Sequence, residues 1–189
     1  KIMILRSVAE LPIKKGDRVL VRVDYNIPVN PEGLITDDAR IKGTLDTLEY
    51  LLERGAVPII LSHWGRPQGG PQPEMSLARV LPERQTLLNH PVTFLSESLN
   101  DVTKASIDAA HAGEIFLLEN LRFHPGERKN DPQFAKKLAS YGSYYVNDAF
   151  PVSHREHASI SLLPTLFNDP AAGFSLLREV DYFSKVLHA

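Results

Sequence analysis

The chain has 189 residues, of which 43% are hydrophobic, and this length predicts one fairly large domain, or one domain with a short appendage, that folds alone. It contains no cysteine, which excludes disulfides, thiolate metal sites and a cysteine nucleophile and favours a reducing, cytoplasmic setting. The net charge of −2 argues against a protein that binds nucleic acid by bulk charge, and the longest apolar runs, such as 57–61, fall far short of the ~18 residues of a membrane span.

The first predicted elements are two strands with a helix between them. Residues 18–25 form a β-branched run typical of a strand, and the nearly continuous apolar run at 57–62 is typical of a strand buried on both faces of a parallel sheet. Between them, Asp37 or Asp38 can cap a helix that ends at Gly55, where a left-handed residue is favoured. The inward residues of this helix are Ile41, Leu45, Leu48 and Leu52.

A loop rich in glycine, proline and glutamine, at 65–73, leads to a less regular stretch. Ser76 can cap a helix there, although Pro82 must kink it or end a first short turn. A short strand at 92–95 and a helix at 99–112, closed by Gly113, follow. The inward residues of the first of these helices are Leu77, Val80, Leu81, Leu87 and Leu88. Those of the second are Val102, Ala105 and Ala109.

The last part of the chain continues the alternation of strands and helices. It predicts a strand at 114–120, a helix with Asp131 as cap and Pro132 at its first position, a strand at 143–150 and a helix at 176–187. The inward residues are Phe134, Leu138 and Tyr141 in one helix and Val180, Phe183 and Leu187 in the other. Strands alternating with helices of this length form βαβ units with right-handed crossovers. The sequence therefore predicts an α/β fold, a doubly wound parallel sheet with helices on both faces in a Rossmann-like three-layer arrangement.

Charged and polar side chains follow four of the predicted strands. Ligands of open parallel sheets bind beyond the carboxyl ends of the strands, so these side chains meet at one rim, together with Arg40 at the start of the first helix. The rim residues are Asp24, Asn26, Arg40, His63, Arg66, Arg122, His154, Arg155 and His157. Guanidinium groups bind phosphate and carboxylate through paired hydrogen bonds, which indicates a small molecule with two or more anionic groups.

A plainer interpretation exists for each rim residue. Any one arginine or histidine at a strand end can be a solvated loop residue, although this explanation weakens when so many positions converge. Asp24 and Asn26 would repel or ignore a bare phosphate, so they either take a hydroxyl or amide-like group of the same ligand or serve only the turn before Pro28.

Several other chemistries lack their sequence patterns. The chain has no P-loop and no glycine-rich dinucleotide fingerprint after the first strand, and no nucleophile elbow surrounds Ser62. His154 and His157, with Asp148, offer two imidazoles and a carboxylate to a metal, but they follow a proline in a loop and do not form the helical pattern of zinc enzymes. We therefore expect no metal and no cofactor to bind to this chain.

At these same residues the sequence resembles the phosphoglycerate kinase family. The matching motifs are VRVDYNIP at 21–28, DARI at 38–41, SHWGRP at 62–67, LLENLRF at 117–123, VNDAF at 146–150 and HREHAS at 154–159. The resemblance runs from about residue 4 to the end and covers the amino-terminal half of that two-domain family. It implies a phosphoglycerate-binding domain at 1–175, the start of an interdomain connector helix at 176–189, and a nucleotide-binding domain that this chain lacks.

The resemblance also implies roles for individual residues. It gives a site for 3-phosphoglycerate or 1,3-bisphosphoglycerate made of Asp24, Asn26, Arg40, His63, Arg66, Arg122 and Arg155. Arg40 is the catalytic residue, assigned to the transferred phosphoryl group. The other arginines and His63 hold the distant phosphate, and Asp24 and Asn26 orient the glycerate end. Two positions depart from the family pattern, Pro151 in place of glycine and Ser153 in place of alanine, in the loop that carries Arg155.

For the whole protein, the resemblance implies a cytoplasmic, monomeric phosphotransferase of glycolysis, with Mg-ATP or Mg-ADP bound by the absent domain and no nucleic-acid or membrane partner. The chain alone is then expected to bind the glycerate substrate without catalysing the reaction. One alternative is a non-enzymatic anion-binding module of the same fold. Another, from the fold alone, is a dinucleotide-dependent oxidoreductase, which the missing glycine fingerprint disfavours.

Overall fold

The computed structural model describes residues 5–32, 34–81 and 90–187, and it contains one sheet of six parallel strands. The strands are β1 (Arg18–Arg22), β2 (Val57–Leu61), β3 (Val92–Leu95), β4 (Ile115–Leu118), β5 (Tyr144–Asn147) and β6 (Ala171–Ala172), in the order β3-β4-β2-β1-β5-β6. The chain winds to one side of β1 through β2 and later returns to its other side through β5. This reversal opens a crevice at the carboxyl ends of the central strands.

Helices cover both faces of the sheet. They are α1 (Ala39–Gly43), α2 (Leu45–Glu53), α3 (Asp101–Asp108), α4 (Pro125–Arg128), α5 (Pro132–Ala139) and α6 (Phe174–Leu187). Successive residues of β1 point to opposite faces, so Val19 and Val21 join one apolar core with Leu48, while Leu20 joins a second core with Leu138. The predicted α/β fold with a doubly wound parallel sheet is therefore confirmed. The part of the chain that the structure describes has no helix long and apolar enough to cross a membrane.

The predicted elements appear with shorter bounds or with breaks. The first helix divides into α1 and α2 at Thr44, whose hydroxyl donates to the carbonyl oxygen of Ile41 at 2.8 Å and so competes with the helical hydrogen bonds. The stretch after Ser76 begins as a short 3-10 helix, Leu77–Val80, capped by the Ser76 hydroxyl. Its predicted continuation through Pro82, Leu87 and Leu88 lies outside the described residues. The strand β6 was not predicted, because two alanines carry no pattern.

Two predicted inward faces are wrong. In α3, Val102 is 72% exposed, and Ala105 and Ala109 are also exposed, whereas Thr103 and Ile107 are buried. Ile107 packs in one core cluster with Leu118 of β4, so this face lies toward the sheet, and the Thr103 hydroxyl donates to the carbonyl oxygen of Glu97. In α6 only Leu176 is buried, while Phe183 and Leu187 are exposed with Val180 between the two states. The apolar periodicity predicts which residues share one face of each helix, but it does not predict whether that face is buried.

The carboxylate of Asp148 attaches α6 to the end of β5. Asp148 is 4% exposed, and its Oδ1 accepts a hydrogen bond from the backbone amide of Leu176 at 2.9 Å in the first turn of α6. Burial raises the pKa of Asp148 to about 6, although this amide and the Thr47 hydroxyl both favour the charged form. The ionised side chain therefore costs the folded state free energy at neutral pH.

We expect Asp148→Asn to stabilise the chain at pH 7.5, by up to about 3 kcal/mol from the size of the pKa shift. Between about pH 4 and pH 6 the folded Asp148 holds its proton while the unfolded one releases it, so the wild-type contribution to stability falls as pH rises through this window. Urea unfolding of both proteins at pH 4 and pH 7.5 measures the difference. A difference that is the same at both pH values would contradict this account.

Candidate anion-binding site

A cavity of about 250 Å³ lies at the carboxyl ends of the central strands. It is lined by Asp24, Asn26, Arg40, His63, Gly65, Arg66, Arg122, Pro151, Val152 and Arg155. All seven residues predicted to bind the glycerate ligand are therefore brought together at one place. His154 is exposed and does not belong to this lining, and His157 lies behind it, half-buried. The lining carries four arginines and only one carboxylate, so a chain of net charge −2 has a local excess of positive charge here.

Asp24 and Arg40 form an ion pair at the mouth of the cavity. Asp24 follows β1 and is 5% exposed, whereas the Arg40 side chain, from the start of α1, is 45% exposed. Arg40 Nη1 donates to Asp24 Oδ2 at 2.5 Å and to the backbone carbonyl of Asn26 at 3.2 Å. The carboxylate thus holds the guanidinium beside the cavity, where an anionic ligand group would compete for it.

The turn after β2 is held from two sides at Gly65. Its backbone amide donates to Asn26 Oδ1 at 2.8 Å, and its carbonyl accepts from Arg122 Nη1 at 2.6 Å. Gly65 has a φ of +62°, and a Cβ there would meet the sulfur of Met75 at 2.9 Å. This position needs glycine, and the turn fixes Asn26 and Arg122 against each other across the cavity.

Arg122 and Arg155 each bring a buried donor without a protein partner. The Nε atoms of both side chains are buried and make no hydrogen bond among the described residues. Arg122 is only 7% exposed, and burial, with the charges of Arg155 and Arg22, lowers its pKa to about 10. Buried donors of this kind cost free energy until an acceptor meets them, and charged oxygen acceptors are the strongest such partners. The two arginines are therefore suited to an oxyanion.

His63 lies at the floor of the cavity and is 2% exposed. Its Nδ1 is 3.1 Å from Arg22 Nη2, and its Nε2 is 3.9 Å from Asp24 Oδ1. Burial first, and then the neighbouring Arg22 and Arg122 charges, hold the pKa of His63 far below its usual 6.5. The imidazole is therefore neutral at physiological pH and acts as a hydrogen-bonding group, not as a cation.

The loop after β5 carries Arg155 to the cavity despite its proline. Pro151 stands in the short 3-10 helix Phe150–Val152, where its fixed φ is compatible with the turn. The Ser153 hydroxyl donates to the Ala149 carbonyl at 3.0 Å, and the Arg155 amide donates to the Val152 carbonyl at 3.0 Å. The two departures from the family pattern are thus accommodated within a compact turn.

The structure does not arrange Ser62 as a nucleophile, and it does not bring Asp148 and His154 together as metal ligands. The Ser62 hydroxyl donates to the Val23 carbonyl at 3.1 Å and accepts from the Tyr25 amide at 2.9 Å, so it joins the ends of β1 and β2 and has no nucleophilic geometry. Asp148 is committed to α6, away from the exposed His154. Within the described residues no three histidine, aspartate or glutamate side chains are grouped to hold a metal ion.

Sequence reasoning missed three buried polar residues behind the cavity, Arg22, Glu127 and Ser159. Each is fully buried, and Arg22 contacts His63. Arg22 read as an ordinary residue of the first strand, and Glu127 stands in a helix of only four residues. Arg22 is a charged residue inside a strand of a sheet predicted to be covered by helices on both faces, and this was an available signal, since such a residue needs partners.

Fold and cavity together define an α/β protein with a cationic cleft, suited to small oxyanions, at the carboxyl edge of a parallel sheet. The family model for phosphoglycerate kinase matches residues 9–189. The chain belongs to the phosphoglycerate kinase family.

Comparisons with individual proteins agree with this assignment. The chain is 43% identical over 185 residues to a phosphoglycerate kinase of Geobacter metallireducens, covering 98% of this chain and 46% of that protein. It is 43% identical over 184 residues to one of Thermosynechococcus vestitus, covering 96% and 46%. The solved phosphoglycerate kinase of Coxiella burnetii superposes with a TM-score of 0.84 at 33% identity, over 96% of this chain and 44% of the other. The chain spans about half the length of the curated relatives it matches.

Proposed function

We propose that this chain is the substrate-binding half of a phosphoglycerate kinase and that its cavity binds 3-phosphoglycerate or 1,3-bisphosphoglycerate. The observation that carries the proposal is the convergence of the seven residues on one cavity, where two arginines present buried Nε donors without protein partners. The reaction moves the acyl phosphate of 1,3-bisphosphoglycerate to ADP, reversibly. Phosphoryl transfer depends mainly on positioning and on stabilisation of charge, which is what arginines supply.

Different residues of the cavity bind different parts of the ligand. Arg66, Arg122 and Arg155, with the neutral His63, hold the phosphate that is not transferred, and Asp24 and Asn26 orient the glycerate end. Arg40 meets the transferring group, because its guanidinium is the most exposed part of the Asp24 ion pair and stands at the cavity mouth. It is the catalytic residue of this half.

The nucleotide belongs to a second domain. The cavity lining carries four guanidinium groups and a single carboxylate, which disfavours a magnesium ion and therefore Mg-ATP or Mg-ADP at this place. We place the substrate domain at 1–175 and the start of the connector at 176–189, of which residues 176–187 lie in α6, which begins at Phe174. In this proposal the whole protein is a cytoplasmic, monomeric glycolytic enzyme, and this chain binds substrate without turning it over.

Calorimetric titration of the chain with 3-phosphoglycerate tests the proposal. We expect binding that weakens with added salt, and a loss of about 1–3 kcal/mol for Arg66→Ala or Arg155→Ala, the size of a charge-assisted hydrogen-bonding partner. The matched control is Arg54→Ala. Arg54 stacks on Tyr50 at the end of α2, near the amino-terminal end of β2, whereas the cavity lies at the carboxyl ends of the strands. Absence of binding, or equal losses in Arg155→Ala and Arg54→Ala, would refute the site.

The alternative of a non-enzymatic anion-binding module of the same fold makes a different prediction. It allows the same 3-phosphoglycerate titration but no restored activity when the chain is mixed with a separately made nucleotide domain. ATP formation from 1,3-bisphosphoglycerate and ADP in that mixture separates the two.

A further inference from the structure

Behind the cavity lies a row of buried polar groups that none of these roles uses. It consists of Glu127 in α4, Ser159 in the loop after β5 and Arg22 at the end of β1, all fully buried. Burying a carboxylate and a guanidinium is costly unless both are fully hydrogen-bonded. Both groups are hydrogen-bonded here, and Ser159 lies between them.

The first bonds join Glu127 to Arg22 through Ser159. The Ser159 hydroxyl is 2.6 Å from Glu127 Oε1, and Arg22 Nε is 2.9 Å from the same hydroxyl oxygen. Arginine has only donors, so the hydroxyl must accept from Arg22 and give its single proton to Glu127. The Ser159 backbone amide also donates to Glu127 Oε2 at 2.9 Å, which leaves both carboxylate oxygens accepting.

The last bond joins Arg22 to His63. Arg22 Nη1 donates to the carbonyl of Val23, and Nη2 approaches His63 Nδ1 at 3.1 Å. Because Arg22 can only donate, Nδ1 must offer its lone pair, and the proton of a neutral imidazole then stands on Nε2. His63 lines the cavity, so this proton is a donor at the cavity floor.

We propose that Glu127, Ser159 and Arg22 form a positioning relay that holds His63 as the neutral Nε2–H tautomer, so that His63 donates a hydrogen bond to an oxygen of the bound anion. This inference rests on the proposed function for the identity of the anion. The hydrogen bonds of Arg22 go to Ser159, to the Val23 carbonyl and to His63, so Arg22 is a positioning residue, while His63 contacts the ligand.

The charges around His63 favour the same state. Arg22 reaches it from β1, Arg122 from the segment after β4, and Arg155 and His157 from the loop after β5, with Asp24 as the facing carboxylate. In a protonated imidazole Nδ1 would also carry a hydrogen, and this hydrogen would face the donor Nη2 of Arg22. The protonated ring would also add a positive charge among the arginines. The relay therefore keeps the contribution of His63 to binding constant between pH 5 and pH 8.

Nitrogen NMR of the whole chain, labelled with ¹⁵N-histidine, tests the relay without any ligand. In the wild type we expect His63 Nε2 to carry the proton and Nδ1 to be unprotonated, with no change between pH 5 and pH 8. The exposed His111 serves as the internal reference. A wild-type His63 that is charged or carries its proton on Nδ1 overturns the proposal, whatever the variants do.

Ser159→Ala removes the link between Arg22 and Glu127. We expect a mixture of His63 tautomers and about tenfold weaker binding of 3-phosphoglycerate, the value of roughly one hydrogen bond. Ser98→Ala is the matched control, because Ser98 is equally buried and its hydroxyl donates to the Glu119 carbonyl at 2.8 Å, outside the cavity.

Arg22→Lys provides a second variant should Ser159→Ala fail to fold, since one ammonium group cannot reproduce all three contacts of the guanidinium. We expect this variant, like Ser159→Ala, to show a mixture of His63 tautomers. Unchanged tautomer and affinity in a folded variant would overturn the relay. A wild type with the expected tautomer that does not bind 3-phosphoglycerate would keep the tautomer assignment and refute the proposed function.

Discussion

The Arg40→Ala variant is expected to lose turnover by about 100- to 1000-fold, as when a transition-state donor is removed, and to keep its affinity for 3-phosphoglycerate. The measurement needs a two-domain version of the protein, made by adding a nucleotide domain after Ala189. Arg40 is held at the cavity mouth by Asp24 Oδ2 and the Asn26 carbonyl, and its side chain is 45% exposed. Because the side chain is partly exposed, an anionic phosphoryl group in transfer can compete with these two acceptors for its guanidinium.

The turnover number and the dissociation constant separate this role from ground-state binding. Interactions stronger in the transition state lower turnover when lost, whereas uniform binding interactions raise the dissociation constant. Arg40→Lys refines the test, because an ammonium keeps the charge but not the paired hydrogen bonds. If Arg40→Ala instead weakens binding and leaves turnover intact, Arg40 is a ground-state contact and its catalytic assignment is wrong.

The Arg122→Ala variant is expected to show the opposite pattern, with 3-phosphoglycerate bound roughly 10- to 100-fold more weakly, from the range for hydrogen bonds to charged groups, and turnover at saturation largely retained. Arg122 is 7% exposed, offers a buried Nε without a protein partner, and fixes Gly65 through a 2.6 Å hydrogen bond. It loses little mobility when the ligand binds, so most of its interaction contributes to affinity.

Two controls support the interpretation of Arg122→Ala. Urea unfolding reports whether loss of the contact to Gly65 has destabilised the chain. Arg54→Ala removes the same charge at the end of α2, near the amino-terminal end of β2 and away from the cavity. Salt should weaken wild-type binding more than that of Arg122→Ala, since the variant has one cation fewer. An unchanged salt dependence would place Arg122 outside the ligand contacts.

The sequence by itself determined the order of strands and helices along most of the chain and the place of the cavity. Val57 to Leu61 reads as a doubly buried strand, and Asp131 with Pro132 marks the start of α5, because these signals depend on neighbours along the chain. The rim followed too, since parallel strands bring all their carboxyl ends to one edge. Side chains such as His63 and Arg122, directly after such strands, converge for that reason alone.

Only the tertiary structure decided which faces of those elements are buried and which distant side chains contact one another. Val102 and Phe183 share helical faces with other apolar residues, yet both are exposed, because periodicity places residues on a face without saying what covers it. Arg22 and Ser159 are 137 positions apart, and their hydrogen bond exists because α4, β1 and the loop after β5 pack together. A buried charge needs partners, but no local pattern names a partner so distant, and the protonation state of His63 depends on that packing.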